Sequence, residues 1–456
     1  MWRKKNGTHT SQNSHDSHRL LLTAVLLVAM AAAGSAATCT TVGAGKITDA
    51  GTWDALPGNG DIANVIHAVT IDRGGALPAT GTLAELNLSA GASGALSVNA
   101  AGSGAIAIAA AKITGIERLT DTNQNAGMTL TCPDVQGLNK FTCRSPAATP
   151  LHITGNLTIV ATTYNALAWG TGGKKLIVDG SVTLTSGADA LLLQTDAALE
   201  CDILITHATG QFTSGIQTSD EGAGTITCTT SCSGTADGTT GIGIEITSPN
   251  VTLTAPTITA SGVNSASSGI IAAGTVVGNV TGQGAADAAS VGVSIDGTLT
   301  GNATGSVLGA GNGVQVGNGL PATVTGDVLG TSVGGIGVKI GDGANASMAT
   351  GNATGRGGTG GKGIVIKNLS ALKGNINLTS DPTSGVIEIQ AGGSWRDAAG
   401  TGAGKIVAAA GNTIKDGAGT EFCPTANVAP AAKVQFGAPR WTGATGADVG
   451  LLWIDR

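Results

Sequence analysis

The sequence predicts an all-β chain wound as a parallel β-helix, and three observations predict it. Ten tetrapeptides align between Ala166 and Ile389, starting at Ala166, Ala190, Gly215, Gly243, Gly269, Gly292, Gly313, Gly337, Gly363 and Val386, at steps of 24, 25, 28, 26, 23, 21, 24, 26 and 23 residues. A period of that size marks a solenoid in which one supersecondary unit stacks on the next. Across the units the second and fourth positions are nearly all aliphatic, whereas the third takes Gln217, Glu245, Ser294, Lys339 and Glu388 in five of the ten. Such period-two alternation is a strand with one buried face, so the stack of tetrapeptides is a parallel sheet. A second column keeps the same phase: Gly278-Asn279, Gly301-Asn302, Gly326-Asp327, Gly351-Asn352 and Gly374-Asn375 recur at steps of 23, 25, 25 and 23. Gly, Asn and Asp tolerate the left-handed backbone of a sharp corner. Asn279, Asn302, Asp327, Asn352 and Asn375 are therefore expected to form a corner ladder, bonded from coil to coil as in stacked strands.

Composition agrees with a thin core. Of 456 residues, 2% are aromatic and 11% charged, with 74 glycines, against about 25% charged in ordinary domains. A narrow coil interior filled by stacked Val, Ile, Ala and Leu suits such a chain. Disorder does not, because the aliphatics are plentiful and periodic.

Residues 1–37 read as a signal peptide. Arg3, Lys4, Lys5 and Arg19 form a positive region, Leu20 to Ala33 is apolar apart from Thr23, and Gly34, Ser35, Ala36 and Ala37 offer a cleavage site. The apolar run falls short of the ~20 residues that span a bilayer. Export to the cell surface or beyond is expected, with no membrane span after processing. The remaining chain has 19 basic and 28 acidic residues, which argues against nucleic acid as a partner.

Seven cysteines follow the leader, and in an exported chain they are disulfide candidates. Cys132 and Cys143 would close a small loop. Cys201 lies about one coil before Cys228, so the two could face each other across coils, with Cys232 as a competitor. The number is odd. Cys39 and Cys423, at opposite ends of a rod, are candidates for bonds between molecules.

Residues 38–150 are the least regular. Trp53, Pro57, Gly60-Asp61, Ile66 and Val69-Thr-Ile-Asp72 form a pattern that resembles the start of extracellular and phage β-helices, which implies an N-terminal cap over the first coil. Leu83–Leu88, Ala95–Val98 and Ala105–Ala110 read as strands of early coils. Asp121–Pro150 breaks the pattern and reads as an excursion from the wall. From 151 to 415 the coils are regular. The unit starting at Gly243 shows three strands: Gly-Ile-Glu-Ile, Val251-Thr-Leu-Thr254 and Thr257-Ile-Thr259. Three strands per coil of about 24 residues resembles the right-handed parallel β-helix of the pectin-lyase-like proteins, a likeness of architecture that assigns no chemistry. Residues 416–456 read as an extended linker from Cys423 to Pro430 and a short C-terminal extension holding Trp441, Trp453 and Leu451-Leu-Trp-Ile454.

Enzymes on the fold that the chain resembles gather aspartates around calcium, with basic residues alongside. That chemistry needs acidic ligands from adjacent coils, and glycoside cleavage needs paired carboxylates. No two neighbouring positions of the outward column are acidic, and Asp296, Asp327 and Asp342 read as different phases of the coil. His67, His152 and His207 lack metal-ligand spacing. No catalytic residue, cofactor or metal is expected. Thr-x-Thr triplets such as Thr252-Leu-Thr254, Thr257-Ile-Thr259 and Thr298-Leu-Thr300 suggest a threonine array of the kind that binds ice, but their spacing reads as irregular. The expected role is that of a structural or adhesive rod, assembling end to end, with itself, other surface proteins or polysaccharide as partners. A polysaccharide-degrading or tailspike-like protein is the alternative.

Overall fold

In the computed structural model each tetrapeptide lies in a strand of one twelve-stranded parallel sheet, which runs from Phe141–Cys143 through Ile242–Ile246 and Lys362–Ile366 to Ala426–Val428. The structure describes residues 36–396 except 100–103, 122–126, 144–149, 170–174, 220–221, 359–360, 378–385 and 391, together with 406–407 and 426–428. Residues 1–35 of the leader therefore lie outside the described residues, as do Cys423 and the tail from 429 onward.

The twelve strands make the first wall of a parallel β-solenoid. Two further strands complete each coil. The unit from Val291 shows them separately: Val291–Ile295 in the first wall, Thr298–Thr300 in the second and Ala303–Val307 in the third. In the middle coils the second and third strands run together, as in Val251–Gly262, and a register shift between Thr254 and Thr257 marks the corner. The third wall is the longest. It runs through sixteen strands from Thr38–Thr40 to Ile406–Val407, every one parallel to the next. At ~4.8 Å per step that wall is about 70 Å long.

Core residues stack as columns because register partners share a face. Ile244, Ile270, Val293, Val314 and Val338 of the first wall are successive partners, each at most 1% exposed. Ile226, Leu253, Val276, Leu299 and Val324 do the same in the second wall at 0%. Each such side chain contributes about 1.5–3 kcal/mol by leaving water.

The coil is pinched where the third wall meets the first. A Cβ on Gly305 would lie 2.0 Å from the carbonyl oxygen of Gly313, and one on Gly330 would lie 1.9 Å from that of Gly337. The two walls touch backbone to backbone there, closer than the ~10 Å at which sheets normally pack. The glycine that opens the tetrapeptide is thus a packing residue as well as a phase marker.

Regular winding starts earlier than residue 151. Thr38–Thr40 already pairs with Ile62–Asn64, and the segment read as an excursion holds strands of the coil. Met128–Thr131 and Asp134–Leu138 stand in the second and third walls, each paired on both sides. Their inward Met128, Leu130 and Val135 alternate as later coils do, but without the glycine that marks phase further on. Near the first coil, Thr41 and Trp53 form an antiparallel bridge, and the amides of Val42 and Asp54 donate to the carbonyls of Thr52 and Thr40. Trp53 is buried, its indole N–H donating to the Ile47 carbonyl at 2.7 Å. Ala426–Val428, read as part of a linker, is a strand paired with Ile387–Ile389.

Gly305→Ala is expected to lower stability by about 1–3 kcal/mol, the usual range for overpacking a tight interior. Gly51→Ala, whose Cβ would meet nothing within 4 Å, is expected to leave it unchanged. Denaturant unfolding of the two variants checks both, and equal stabilities would show that the pinch does not constrain the coil.

Candidate functional site

The corner column forms a chain of bonds between coils. Asn279 Oδ1 accepts from the amide of Asn302 at 3.0 Å, and Asn302 Oδ1 accepts from Asp327 at 2.8 Å. Asp327 Oδ1 accepts from Asn352 at 2.7 Å, and Asn352 Oδ1 from Asn375 at 3.1 Å. Each side chain thus holds the backbone of the coil above. The corner begins before this column: Asn156 accepts from the Ser181 amide, and Asp202 accepts from the hydroxyls of Thr229 and Thr230. Those two hydroxyls hold the Asp202 carboxyl below its ordinary pKa. Sequence reading missed these earlier members because the pair Gly155-Asn156 is not followed by another in the next coils, where Asp202 follows Cys201.

The five cysteines among the described residues lie inside. Cys201 and Cys228 are register partners on adjacent coils, with sulfurs 3.7 Å apart. Cys232, also buried, stands past the corner opposite Leu204. Among the described residues no two sulfurs are at bonding distance, which is ~2.05 Å. Hydrogen bonding to Cys228, then burial, holds the Cys201 and Cys232 thiols above the ordinary range. Cys132 is 1% exposed and its thiol meets the Asp134 carbonyl at 3.1 Å; the side chain of its proposed partner Cys143 lies outside the described residues. Cys39, expected to link molecules, is 1% exposed and packs in the core of the first coil. A sulfur held there is not offered to a second molecule.

The outward column of the first wall is satisfied locally. Glu245 accepts from Ser214 Oγ at 2.8 Å and from Gln217 Nε2 at 3.3 Å. Gln315, 2% exposed, accepts from Asn312 Nδ2 at 2.8 Å. Lys362 binds Glu388, and that contact holds the Glu388 carboxyl below its usual range. His152 and His207 each meet an aspartate on the next coil, Asp179 at 2.9 Å and Asp237 at 2.7 Å, and His67 Nδ1 meets the Thr41 carbonyl at 2.8 Å.

Asp296 and Asp342, read as different phases, come together in the turn after the first wall. The peptide between them joins the two: the Asn318 amide donates to Asp296, and the Gly319 amide donates to Asp342 at 3.0 Å. Variable loop lengths hid this proximity. Asp327 stays apart in the corner ladder. Burial raises the Asp296 carboxyl, whereas the Asn345 and Ala344 amides hold Asp342 well below the carboxylate range. Burial also lowers Lys339 nearby. Asp296 beside Gly297, Thr298, Leu320 and Pro321 lines a shallow cavity of about 320 Å³. Among the described residues, no three His, Cys, Asp or Glu side chains are grouped to hold a metal ion, and no helix is long and apolar enough to cross a membrane.

The Thr-x-Thr triplets are the larger correction. Thr225, Thr252, Thr275, Thr298 and Thr323 are consecutive register partners in the second wall. Two residues on, Thr227, Thr254, Val277, Thr300 and Thr325 form a parallel column. Thr252-Leu-Thr254 and Thr298-Leu-Thr300 are in phase, whereas Thr257-Ile-Thr259 stands past the corner in the third wall. Steps of 27, 23, 23 and 25 residues along the chain concealed the shared phase, because turns of unequal length separate strands of equal height.

Two outcomes follow from this chemistry. Mild oxidation, removing two electrons and two protons, is expected to join Cys201 to Cys228, read as a loss of two mass units mapped to one cross-coil peptide pair. A map that links Cys232 instead would overturn it. Because the folded-state pKa of Asp296 is raised, its stabilising share is present below the unfolded value of about 3.9 and is lost as pH rises through the folded one. Asp296→Asn is therefore expected to match the parent in acid and to gain on it towards neutral pH in melting curves. A variant that loses ground with rising pH would contradict the assignment. No family model matches the chain, and neither does any curated protein or any solved structure.

Proposed function

We propose that the chain acts outside the cell as a rigid structural or adhesive rod, with further copies of itself, other surface proteins or polysaccharide as its partners. The carrying observation is the third wall, sixteen strands in unbroken parallel register. A solenoid bonded along its whole length resists bending, since each coil meets only its neighbours and every coil is tied to both. The corner ladder adds a second set of ties. Export follows from the leader-like residues 1–37, and an oxidising exterior suits the cysteine content.

Assembly end to end, on this reading, proceeds through edge pairing and apolar contact, since Cys39 is buried. Light scattering with negative-stain imaging, with and without reductant, tests it. Straight rods of about 70 Å or more, unchanged by reductant, are expected. Compact particles would overturn the rod, and rods that dissociate on reduction would overturn the mode of assembly.

A further inference from the structure

We infer that the second wall between Thr225 and Thr325 is an ice-binding face. This stands apart from the rod proposal, since it concerns what one flat side touches.

The two columns carry nine threonines and Val277, a shape mimic of threonine that keeps the methyl groups. All of them point outward, because the residues between them, such as Leu253 and Leu299, are 0% exposed in the core. Adjacent coils set the side chains ~4.8 Å apart along the rod, and the i, i+2 spacing along a strand sets them about 6.6–6.8 Å apart across it. The result is a two-column grid about 20 Å by 7 Å, in register along the rod. β-branched side chains have few χ1 choices, so the hydroxyls and methyls are held before any contact is made. Ordering them on binding then costs little.

An independent observation points to water as the ligand. Among the described residues none of these nine hydroxyls is engaged by another protein group, whereas the corner hydroxyls of Thr229 and Thr230 are taken by Asp202. The grid also holds no charge. Its borders are Ala198 and Glu200 on one side and Met348 on the other, with the Leu320–Pro321 turn rising beside Thr298. Charged groups hold their own hydration shells, which fit a crystal lattice poorly. A neutral grid of hydroxyls and methyls instead orders water at its own spacing, and both spacings are close to repeats of oxygen atoms in hexagonal ice. The third wall serves as the internal contrast. Its column Ser233, Thr259, Thr281 and Thr304 is also hydroxylated, but the column beside it takes His207, Gln283 and Arg356.

Stacked threonines also stabilise sheets without binding anything, so the test separates the two roles. The purified protein would be frozen slowly onto a cold probe, and its share in the ice measured against that in the liquid. Thermal hysteresis would be read on the same samples. The parent chain is expected to concentrate in the ice and to shape growing crystals. Thr275→Tyr and Thr298→Tyr keep strand preference and are expected to melt with the parent while losing ice incorporation. Thr281→Tyr on the third wall is expected to retain it. Exclusion of the parent from ice would overturn the inference, as would full incorporation of the second-wall variants. Adsorption to crystalline cellulose or chitin with exclusion from ice would also overturn it, and would assign the grid to a sugar lattice.

Discussion

The coil-to-coil distance constrains everything else in this molecule. Parallel strands bond at one spacing, so each turn must pass over the turn beneath it at that same height, corners included. At the corner, a Cβ on Gly301 would sit 2.1 Å from the carbonyl oxygen of Gly278, and one on Gly326 would sit 2.3 Å from that of Gly301. The φ angles of 142° and 145° at these two positions are also open chiefly to glycine. A side chain there would lift one coil off the next. The glycine content thus follows from geometry and does not signal looseness.

The same constraint sorts the polar groups. Inside the coil the side chains are mostly aliphatic, with the larger Trp53, Phe141 and Trp395 in the first coils and the last, and the five described cysteines lie there. Outside, a polar side chain has a neighbour directly above or below it. Asn302 therefore finds the Asp327 amide, Gln217 finds Glu245, and His207 finds Asp237. Such pairs stabilise stacking and use up reactive capacity. In the second wall the columns hold threonine above threonine with no carboxylate or amide between them, and there the hydroxyls stay open.

Much of the architecture is legible in one dimension. The tetrapeptides announce the first wall because glycine marks their phase and alternation marks their faces. The Gly-Asn pairs announce the corner for the same reason. The coils before residue 151 carry the alternation without the glycine, as at Met128 and Leu130, and so read as irregular. Spacing offers Cys201 either Cys228 or Cys232 on the next coil, and only register puts Cys228 opposite it, whereas the burial of Cys39 depends on which way the first strand turns, and neighbouring residues do not state it.

Sequence by itself determined the fold class, the coil length, the three strands per coil and the phase of two columns, because each rests on a local pattern repeated many times. Tertiary structure decided which outward residues stand over one another. Register is counted in coils, while sequence is counted in residues, and turns of unequal length make the two counts diverge. The Asp296 and Asp342 turn and the threonine grid lie in that gap: successive members, Asn318–Gly319 between the two aspartates included, are one coil apart in height and 22 to 27 residues apart along the chain, with no marker between them. Only hydrogen bonding between strands, which sets height without regard to loop length, brings them into line.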